Sequence, residues 1–278
     1  MTMESKYKLQ DLVDLDRYPI DDLDGRGRDL VAQGRAYLSD HAMCHLPGFL
    51  RPEAVETVLE EIASIRDTAY WMEVPRRAYS WRNPNDYPHA PVVGRANKNR
   101  IGTITTDAFA ETSAFVALSN QPALTEFIRR CMGFESLHLV ACPFLAANIK
   151  VMEEGSSHAW HFDQNDGAVT FLFENAERGG HFEYVPFLRD EDDERYDEVE
   201  RLMDGETSRV LTAPLEPGSF CLFMGRRSIH RVSDVEQGNP DRLLAVFSYH
   251  RNPGHRYRES TVRSVLGRLP DNYEQTLP

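Results

Sequence analysis

The sequence predicts an α+β protein whose core is a double-stranded β-helix, or jelly roll, with an N-terminal helical region packed on it. Up to residue 136, apolar residues recur mainly with helical spacing, whereas from residue 137 onward the apolar segments are short and separated by turn residues. In addition, His161 and Asp163 stand two residues apart, so in an extended segment both side chains leave the same face.

Three stretches of the N-terminal region predict helices. Residues 26–38 and residues 52–68 each carry one apolar stripe, and the second begins with a proline followed by an acidic residue. Residues 106–132 are predicted as two helices with a break at residues 120–122, and residues 41–50 as a short strand and turn. Residues 71–101 contain four prolines and are predicted to be rich in loops.

The strand candidates of the second half predict two facing sheets that enclose a ligand. They are residues 137–140, 148–151, 168–173, 180–185, 209–212, 219–224 and 243–249. An acidic helical insert at about 189–205 interrupts the series. We therefore expect an N-terminal region at 1–136, a jelly-roll catalytic core at 137–256 and a C-terminal tail at 257–278, all in one structural unit.

Composition narrows the choice of partners and compartment. With 44 acidic against 31 basic residues, the net charge of −13 argues against a nucleic-acid-binding protein and leaves a small-molecule substrate as the expected partner. The first ten residues lack an apolar signal-peptide core, and no apolar run is long enough to span a bilayer. The four cysteines form no CxxC motif, which favours free thiols in the cytoplasm.

Six basic residues form a cluster within the loop-rich segment of this acidic chain. They are Arg76, Arg77, Arg82, Arg95, Lys98 and Arg100. The cluster is either an ordinary solvated loop or the source of one arginine that binds a substrate carboxylate, and the sequence leaves both open.

The candidate metal ligands are His161, Asp163 and His230. Two imidazoles and one carboxylate occupy one face of an octahedral metal and leave the other positions open, as in non-haem Fe(II) oxygenases. Arg242 opens the strand after His230, and its guanidinium suits the distal carboxylate of a metal-chelating keto acid. Ser248, on the same face of that strand, is predicted to assist, whereas the alternative for Arg242 is a surface ion pair with Asp241 or Asp234.

Together these motifs resemble those of a known superfamily. The matching segments are residues 161–163, 179–186, 217–219, 225–232, Arg242 and residues 247–254. Between about residues 148 and 254 the chain resembles the Fe(II)/2-oxoglutarate-dependent dioxygenases, whose core is a jelly roll of the cupin type. Within them it resembles bacterial oxygenases of free amino acids, a subgroup that includes hydroxylases and lysine halogenases.

The resemblance implies a reaction and its cofactors. Fe(II) would be held by His161, Asp163 and His230, and 2-oxoglutarate would chelate it with its far carboxylate on Arg242. With O2, the cosubstrate would yield succinate and CO2 while a substrate C–H bond is hydroxylated. Halogenases of the subgroup carry a small residue at the position of Asp163, so the carboxylate argues for hydroxylation, or for a desaturation or ring closure, and against halogenation.

Four further residues are candidate substrate contacts. In the resembling enzymes a histidine at the position of His158 touches substrate, and Trp160 would pack against the iron pocket. Gln164 and Asp166 would bind a substrate amine, with turn formation as their equally weighted alternative. The expected substrate is a free amino acid or a derivative. Two alternatives remain, namely an acyl thioester as in the phytanoyl-CoA type of dioxygenase, or a jelly-roll protein that binds Zn(II) without redox activity.

Overall fold

A computed structural model describes residues 6–164, 168–269 and 273 of the chain. Most of its helices lie in the N-terminal region, as the apolar stripes predict. The helices are α1 Leu9–Leu12, α2 Arg28–His41, α3 Pro52–Ile65, α4 Ala114–Ser119, α5 Pro122–Met132, α6 Tyr196–Met203 and α7 Glu259–Leu266. Proline at the first position of α3 and α5, where a missing N–H costs no hydrogen bond, fixes where these two helices begin.

The strands form two main sheets and three short pairs. They are β1 Met43–Leu46, β2 Tyr70–Met72, β3 Arg76–Arg77, β4 Ala96–Asn97, β5 Ile101–Thr105, β6 His138–Leu139, β7 Ala147–Met152, β8 His158–His161, β9 Ala168–Glu174, β10 Arg178–Gly179, β11 Phe182–Val185, β12 Leu211–Thr212, β13 Phe220–Phe223, β14 Ile229–Val232, β15 Val235–Gln237, β16 Arg242–Phe247 and β17 Tyr249–His250. The larger sheet has the order β1-β13-β9-β16-β7-β5-β2, and the smaller one has the order β12-β11-β14-β8.

The two faces of the larger sheet have different neighbours. On β16, Leu243, Ala245 and Phe247 alternate along one face and belong to the main apolar core, which also contains the buried residues of α3, α4 and α5. Side chains at the intervening positions leave the opposite face. On that face Val246 lines a cavity, and this inner side of the sheet carries polar groups of the site.

The N-terminal region contributes strands as well as helices to this architecture. β1, β5 and β2 extend the larger sheet on both sides of the jelly-roll strands. Of these, β1 lies inside the predicted strand-and-turn segment, whereas β5 lies within residues 101–105, at the end of the stretch interpreted as loop. The boundary at residue 136 stays a prediction, and hydrogen bonds between β5 and β7 cross it.

The acidic insert is helical only in its second half. Its helix α6 begins at Tyr196, so the prediction of a helical segment from residue 189 onward is wrong for residues 189–195. There the Asp190 carboxylate accepts hydrogen bonds from the backbone N–H groups of Asp192 and Asp193, both at 2.9 Å. An aspartate that bonds the backbone two and three residues ahead stabilises a turn in competition with a helix.

The residues predicted to form a C-terminal tail contain helix α7. Val262 and Leu266 of this helix are buried in a small apolar cluster with Val140 and Phe144. Within the described part of the chain, no helix is both long enough and apolar enough to cross a lipid bilayer.

Candidate metal centre

Two neighbouring strands of the smaller sheet bring the three predicted ligands together. His161 ends β8 and lies directly opposite His230 of β14 in the antiparallel register. Asp163 follows two residues after His161, and its Oδ1 lies 3.6 Å from His161 Nε2, while its Oδ2 lies 3.7 Å from His230 Nε2. The candidate ligand atoms of the three residues all lie within 4.8 Å of one another.

Backbone carbonyls set the orientation of both imidazoles. His161 Nδ1 lies 2.7 Å from the carbonyl oxygen of Ala159, and His230 Nδ1 lies 3.0 Å from that of Ser228. Because a carbonyl only accepts, each Nδ1 carries the proton and donates it, which leaves the Nε2 lone pair free. Burial, with smaller contributions from the charges of Arg76 and His230, lowers the pKa of His161 to about 3. The neutral imidazole is the form that binds a metal.

The Asp163 carboxylate completes the donor set. Burial acts to raise its pKa, but His230, His161 and Arg76 outweigh burial and hold the pKa well below its usual range, so the group is ionised. Its Oδ2 is buried and has no hydrogen-bond partner among the described residues. A buried, unpartnered carboxylate oxygen facing two free imidazole nitrogens fits a divalent cation, and this donor set is the one expected for Fe(II) with open positions.

His158 lies beside the triad because β8 contains a bulge. His161 is opposite His230, but His158 is opposite Val232, so three steps along β8 match two along β14. Such a bulge re-aims side chains next to functional sites, and it places the His158 and His161 rings 4.3 Å apart. Nε2 of His158 lies 3.1 Å from Nη1 of Arg76. A guanidinium only donates, so His158 Nε2 accepts this bond.

Arg242 is buried deep between the sheets. It is 2% exposed, and its Nε and Nη1 have no hydrogen-bond partner among the described residues. Burial lowers its pKa to about 10. The alternative of a surface ion pair is wrong, because Asp241 lies 2.7 Å from Arg66 and Asp234 pairs with Lys98. A desolvated guanidinium with unused donors calls for an anion, which fits the distal carboxylate of 2-oxoglutarate.

Ser248 lies too far along the strand to share that carboxylate. Arg242 is the first residue of β16 and pairs with Met152, whereas Ser248 follows the last residue of the strand. Six residues of strand span about 20 Å, more than the Arg242 and Ser248 side chains can bridge around one carboxylate. The expected assistance from Ser248 is therefore wrong, and Ser248 lines a cavity whose described lining does not include Arg242.

The remaining predicted contacts occupy different surroundings. Trp160 packs in an apolar cluster with Phe162 and Val185, and Arg231 covers its ring at 4.7 Å, so its surroundings are those of a packing residue. Gln164 is exposed and lines a cavity together with Asp163. Asp166 lies outside the described residues.

Two arginines of the basic cluster line cavities, Arg76 in one and Arg82 in another, and two further polar residues of the cavity wall were not predicted from the sequence. Arg76 lines a cavity of about 1130 Å³ together with Asn148 and Lys150 of β7. These two β7 positions alternate with the buried Ile149 and Val151. Polar residues at every second position of an otherwise apolar central strand were the sequence signal that would have found them.

Comparison with known proteins assigns the chain to a family and a fold. A family model described as HalD, Halogenase D, matches residues 90–262, which is more than half of the chain. No curated protein sequence matches the chain.

Solved structures share the fold at low sequence identity. The epimerase SnoN in complex with Fe3+, alpha ketoglutarate and nogalamycin RO is 16% identical, with 90% of this chain and 94% of SnoN covered at a TM-score of 0.57. A prolyl hydroxylase from Trichoplax adhaerens is 14% identical over 80% of this chain and 90% of its own, at a TM-score of 0.54.

A third similar structure is HygX from Streptomyces hygroscopicus with nickel, 2-oxoglutarate and hygromycin B bound. It is 14% identical, with 80% of this chain and 87% of HygX covered at a TM-score of 0.54. The fold is thus that of the 2-oxoglutarate–Fe(II) oxygenases, which confirms the predicted fold class and the predicted superfamily resemblance.

Proposed function

The chain belongs to the family described as Halogenase D, and from this premise we propose that it is an Fe(II)- and 2-oxoglutarate-dependent oxygenase that hydroxylates a free amino acid or a derivative. One observation carries the proposal. Two imidazoles with free Nε2 atoms and an ionised carboxylate converge in one buried site, in a fold that also buries an unpaired arginine.

Each residue of the site has a distinct task in this reaction. His161, Asp163 and His230 would hold Fe(II), and the guanidinium of Arg242 would bind the distal carboxylate of 2-oxoglutarate. Bound Fe(II), 2-oxoglutarate and O2 supply the oxidising power, so that substrate R–H, 2-oxoglutarate and O2 give R–OH, succinate and CO2. Arg76, held by its hydrogen bond to His158, orients a substrate carboxylate so that one C–H bond faces the metal.

The reaction outcome depends on Asp163. Its carboxylate occupies a metal position that a halide needs in the resembling halogenases. A hydrogen bond also holds Asp163 in position, because its backbone N–H donates to the carbonyl oxygen of Gly225 at 3.0 Å. The chain therefore belongs to a family described as a halogenase, yet it carries the carboxylate ligand that is expected of a hydroxylase.

The two alternative functions, a dioxygenase of acyl thioesters and a zinc-binding protein without redox activity, are less well supported. An acyl thioester substrate would favour an apolar cavity, but Arg76, Lys150 and Arg258 line this one. A zinc protein without redox activity would leave the buried donors of Arg242 without a purpose. All four cysteines are buried and unpaired, which supports the proposed cytoplasmic location.

Succinate formation tests the proposal. Apoprotein is mixed with Fe(II), 2-oxoglutarate, ascorbate and O2, and succinate is measured with and without each member of a panel of amino acids. We expect at least one compound to raise 2-oxoglutarate turnover and to gain one oxygen atom. Asp163→Ala is expected to lose metal binding and turnover, with Asp234→Ala as the exposed carboxylate control. The proposal fails if no panel compound stimulates turnover and Asp163→Ala binds the metal as well as the wild type.

A further inference from the structure

Lys150 places a second cation on the inner wall, close to Arg76. In β7 it is paired with Leu244 of β16 and Thr103 of β5, so its side chain leaves the same sheet face as those of its two partners. Its Nζ donates a hydrogen bond to Thr103 Oγ1 at 2.9 Å. The hydroxyl is neutral, and within the described residues Lys150 forms no salt bridge, so no carboxylate of the described chain balances this ammonium.

Among the described residues, Arg76 likewise has no carboxylate partner at hydrogen-bonding distance. Nη1 is bonded to the imidazole of His158, and the buried Nε has no partner among the described residues. The carboxylate of Asp163 acts on the pKa of Arg76, raising it against the effect of burial. Asp163, however, is a ligand of the proposed metal site. Burial, together with the positive charge of Arg76, lowers the pKa of Lys150 to about 7. Two like charges held close together in a partly desolvated wall are expected where an anion binds between them.

2-Oxoglutarate does not account for these two cations. One of its carboxylates chelates the metal, and the other is assigned to Arg242. On the inner face of β16, Leu244 lies between Arg242 and the cavity residue Val246. Lys150 pairs with Leu244. Lys150 therefore lies one side-chain position nearer the cavity than Arg242 does. With 2-oxoglutarate assigned in this way, an anion that Arg76 and Lys150 attract belongs to the substrate.

The inference rests on the proposed function and concerns the substrate of the same site. We propose that the substrate carries two anionic groups: a carboxylate bound by Arg76 and His158, and a second carboxylate or a phosphate bound by Lys150. Lys150 is then the residue that selects an acidic or phosphorylated amino acid over a neutral or basic one.

The rest of the cavity supports an anionic ligand. Its described lining contains Arg258 beside Arg76 and Lys150 and no aspartate or glutamate, although acidic residues outnumber basic ones in the whole chain. The adjoining cavity, which Asp163 lines, also holds Asp190, Glu191 and Glu194. The Glu194 carboxylate there pairs with Arg82 and Arg189, and the Asp190 carboxylate accepts hydrogen bonds from the backbone N–H groups of Asp192 and Asp193. A lysine or ornithine side chain would bring an ammonium group toward Lys150 with no described carboxylate to receive it.

Equilibrium binding tests this proposal independently of turnover. Protein loaded with Ni(II) and 2-oxoglutarate under argon is titrated by calorimetry with L-aspartate, L-glutamate, L-2-aminoadipate and O-phospho-L-serine, and with L-leucine, L-lysine and L-ornithine. We expect at least one dianionic compound to bind at least about 10-fold more tightly than any of the last three. The phosphoserine arm distinguishes a phosphate site from a carboxylate site.

Lys150→Met tests the assigned residue, because methionine keeps most of the length and loses the charge. Its affinity for the preferred dianionic compound should fall by about 10- to 100-fold, while its affinity for 2-oxoglutarate changes by less than about 2-fold. Lys98→Met is the control, since Lys98 is exposed and faces Asp234. Thr103→Val, which removes the hydroxyl that holds the ammonium, provides a second variant with a smaller loss if Lys150→Met does not fold.

Three results would overturn the inference. These are tighter binding of lysine or ornithine than of every dianionic compound, unchanged dianion binding by Lys150→Met, and an equal loss of 2-oxoglutarate affinity in that variant, which would assign Lys150 to the cosubstrate. Failure of the proposed function looks different. In that case the wild-type protein would not bind 2-oxoglutarate in the presence of metal at all.

Discussion

A β-carbon on Gly225 would come within 2.0 Å of Oδ2 of Asp163 and within 3.0 Å of Cε1 of His230. The backbone of Gly225 also accepts the hydrogen bond of Asp163 N–H at 3.0 Å. Glycine is therefore required at this position by space, because the carboxylate ligand fills the volume that a side chain would need. The fit links the turn before β14 to the metal position that distinguishes hydroxylases from the resembling halogenases.

Gly225→Ala is expected to displace the Asp163 carboxylate. We expect Ni(II) or Fe(II) affinity to fall by about 10- to 100-fold, as for other changes that disturb the support of a metal ligand. Metal titration followed by calorimetry measures this loss. Gly94→Ala is the control, because the nearest atom to a β-carbon there is at 3.4 Å, an ordinary contact. Unchanged metal affinity in Gly225→Ala would mean that Asp163 has room to move without leaving the metal.

The double variant Asp163→Gly, Gly225→Ala shows whether the effect passes through the carboxylate. With Asp163 removed, the added methyl group meets no carboxylate, so Gly225→Ala should change metal affinity by less than about 2-fold relative to Asp163→Gly alone. An equally large effect in both backgrounds would instead indicate a general distortion of the turn.

Arg242→Ala is expected to weaken 2-oxoglutarate binding by roughly 2–4 kcal/mol, because the distal carboxylate would be left desolvated and unpaired. The affinity is measured by titrating the anaerobic metal-loaded protein with 2-oxoglutarate. Arg231→Ala is the matched control, since Arg231 lies 2.6 Å from Glu183 and stacks on Trp160. If the affinity of Arg242→Ala stayed at the wild-type value, another cation would have to hold that carboxylate.

Lys150→Met is expected to stabilise the ligand-free protein near neutral pH. The pKa of Lys150 is lowered to about 7 in the folded chain, whereas the unfolded chain keeps the ordinary value of about 10.4. Between these values the unfolded chain binds one more proton, so this group's contribution to stability rises with pH over that window and is lowest below about pH 7. Removing the charge should thus raise the melting temperature most at low pH.

The expected gain below about pH 7 is about 2 kcal/mol, or about 4–8 °C for a chain of this size, discounted because Lys150 borders a cavity. The gain should shrink toward zero as the pH approaches about 10. Thermal unfolding of both proteins across this range, without metal or ligand, measures it, with Lys98→Met as the control. A pH-independent difference would show that Lys150 does not titrate abnormally.

The alternation of residues along each strand predicted the fold well, because it reflects which side of the strand is buried. Alternation and turn residues located β7, β9, β13 and β16 within a few residues. Residues 101–105 were missed because they follow a proline-rich loop and form a strand only by pairing with β7. The helix predicted from residue 189 failed because Asp190 closes a turn with its own backbone.

The candidate site was predictable where its residues are close in sequence and less so elsewhere. The spacing of His161 and Asp163 sufficed to expect a shared face. The prediction for Ser248 was wrong although residues 242 and 248 share one face of the strand. Side chains an even number of residues apart point the same way, but six residues of strand hold these two about 20 Å apart. The approach of Arg76 and Lys150 could not be predicted, since a short edge strand and a central one meet only in the folded chain.

His158 lies next to the metal ligands without being one of them. The His158 and His161 rings are 4.3 Å apart, so either could be taken for the ligand on β8. Nε2 of His158 accepts a hydrogen bond from Arg76 at 3.1 Å, whereas Nε2 of His161 faces Asp163 at 3.6 Å. We therefore expect His158→Ala to bind Ni(II) within about 10-fold of wild type, while His161→Ala and His230→Ala lose more than about 100-fold. Calorimetric Ni(II) titration measures all three variants. A loss in His158→Ala as large as in His161→Ala would make His158 a metal ligand and move Arg76 away from the substrate.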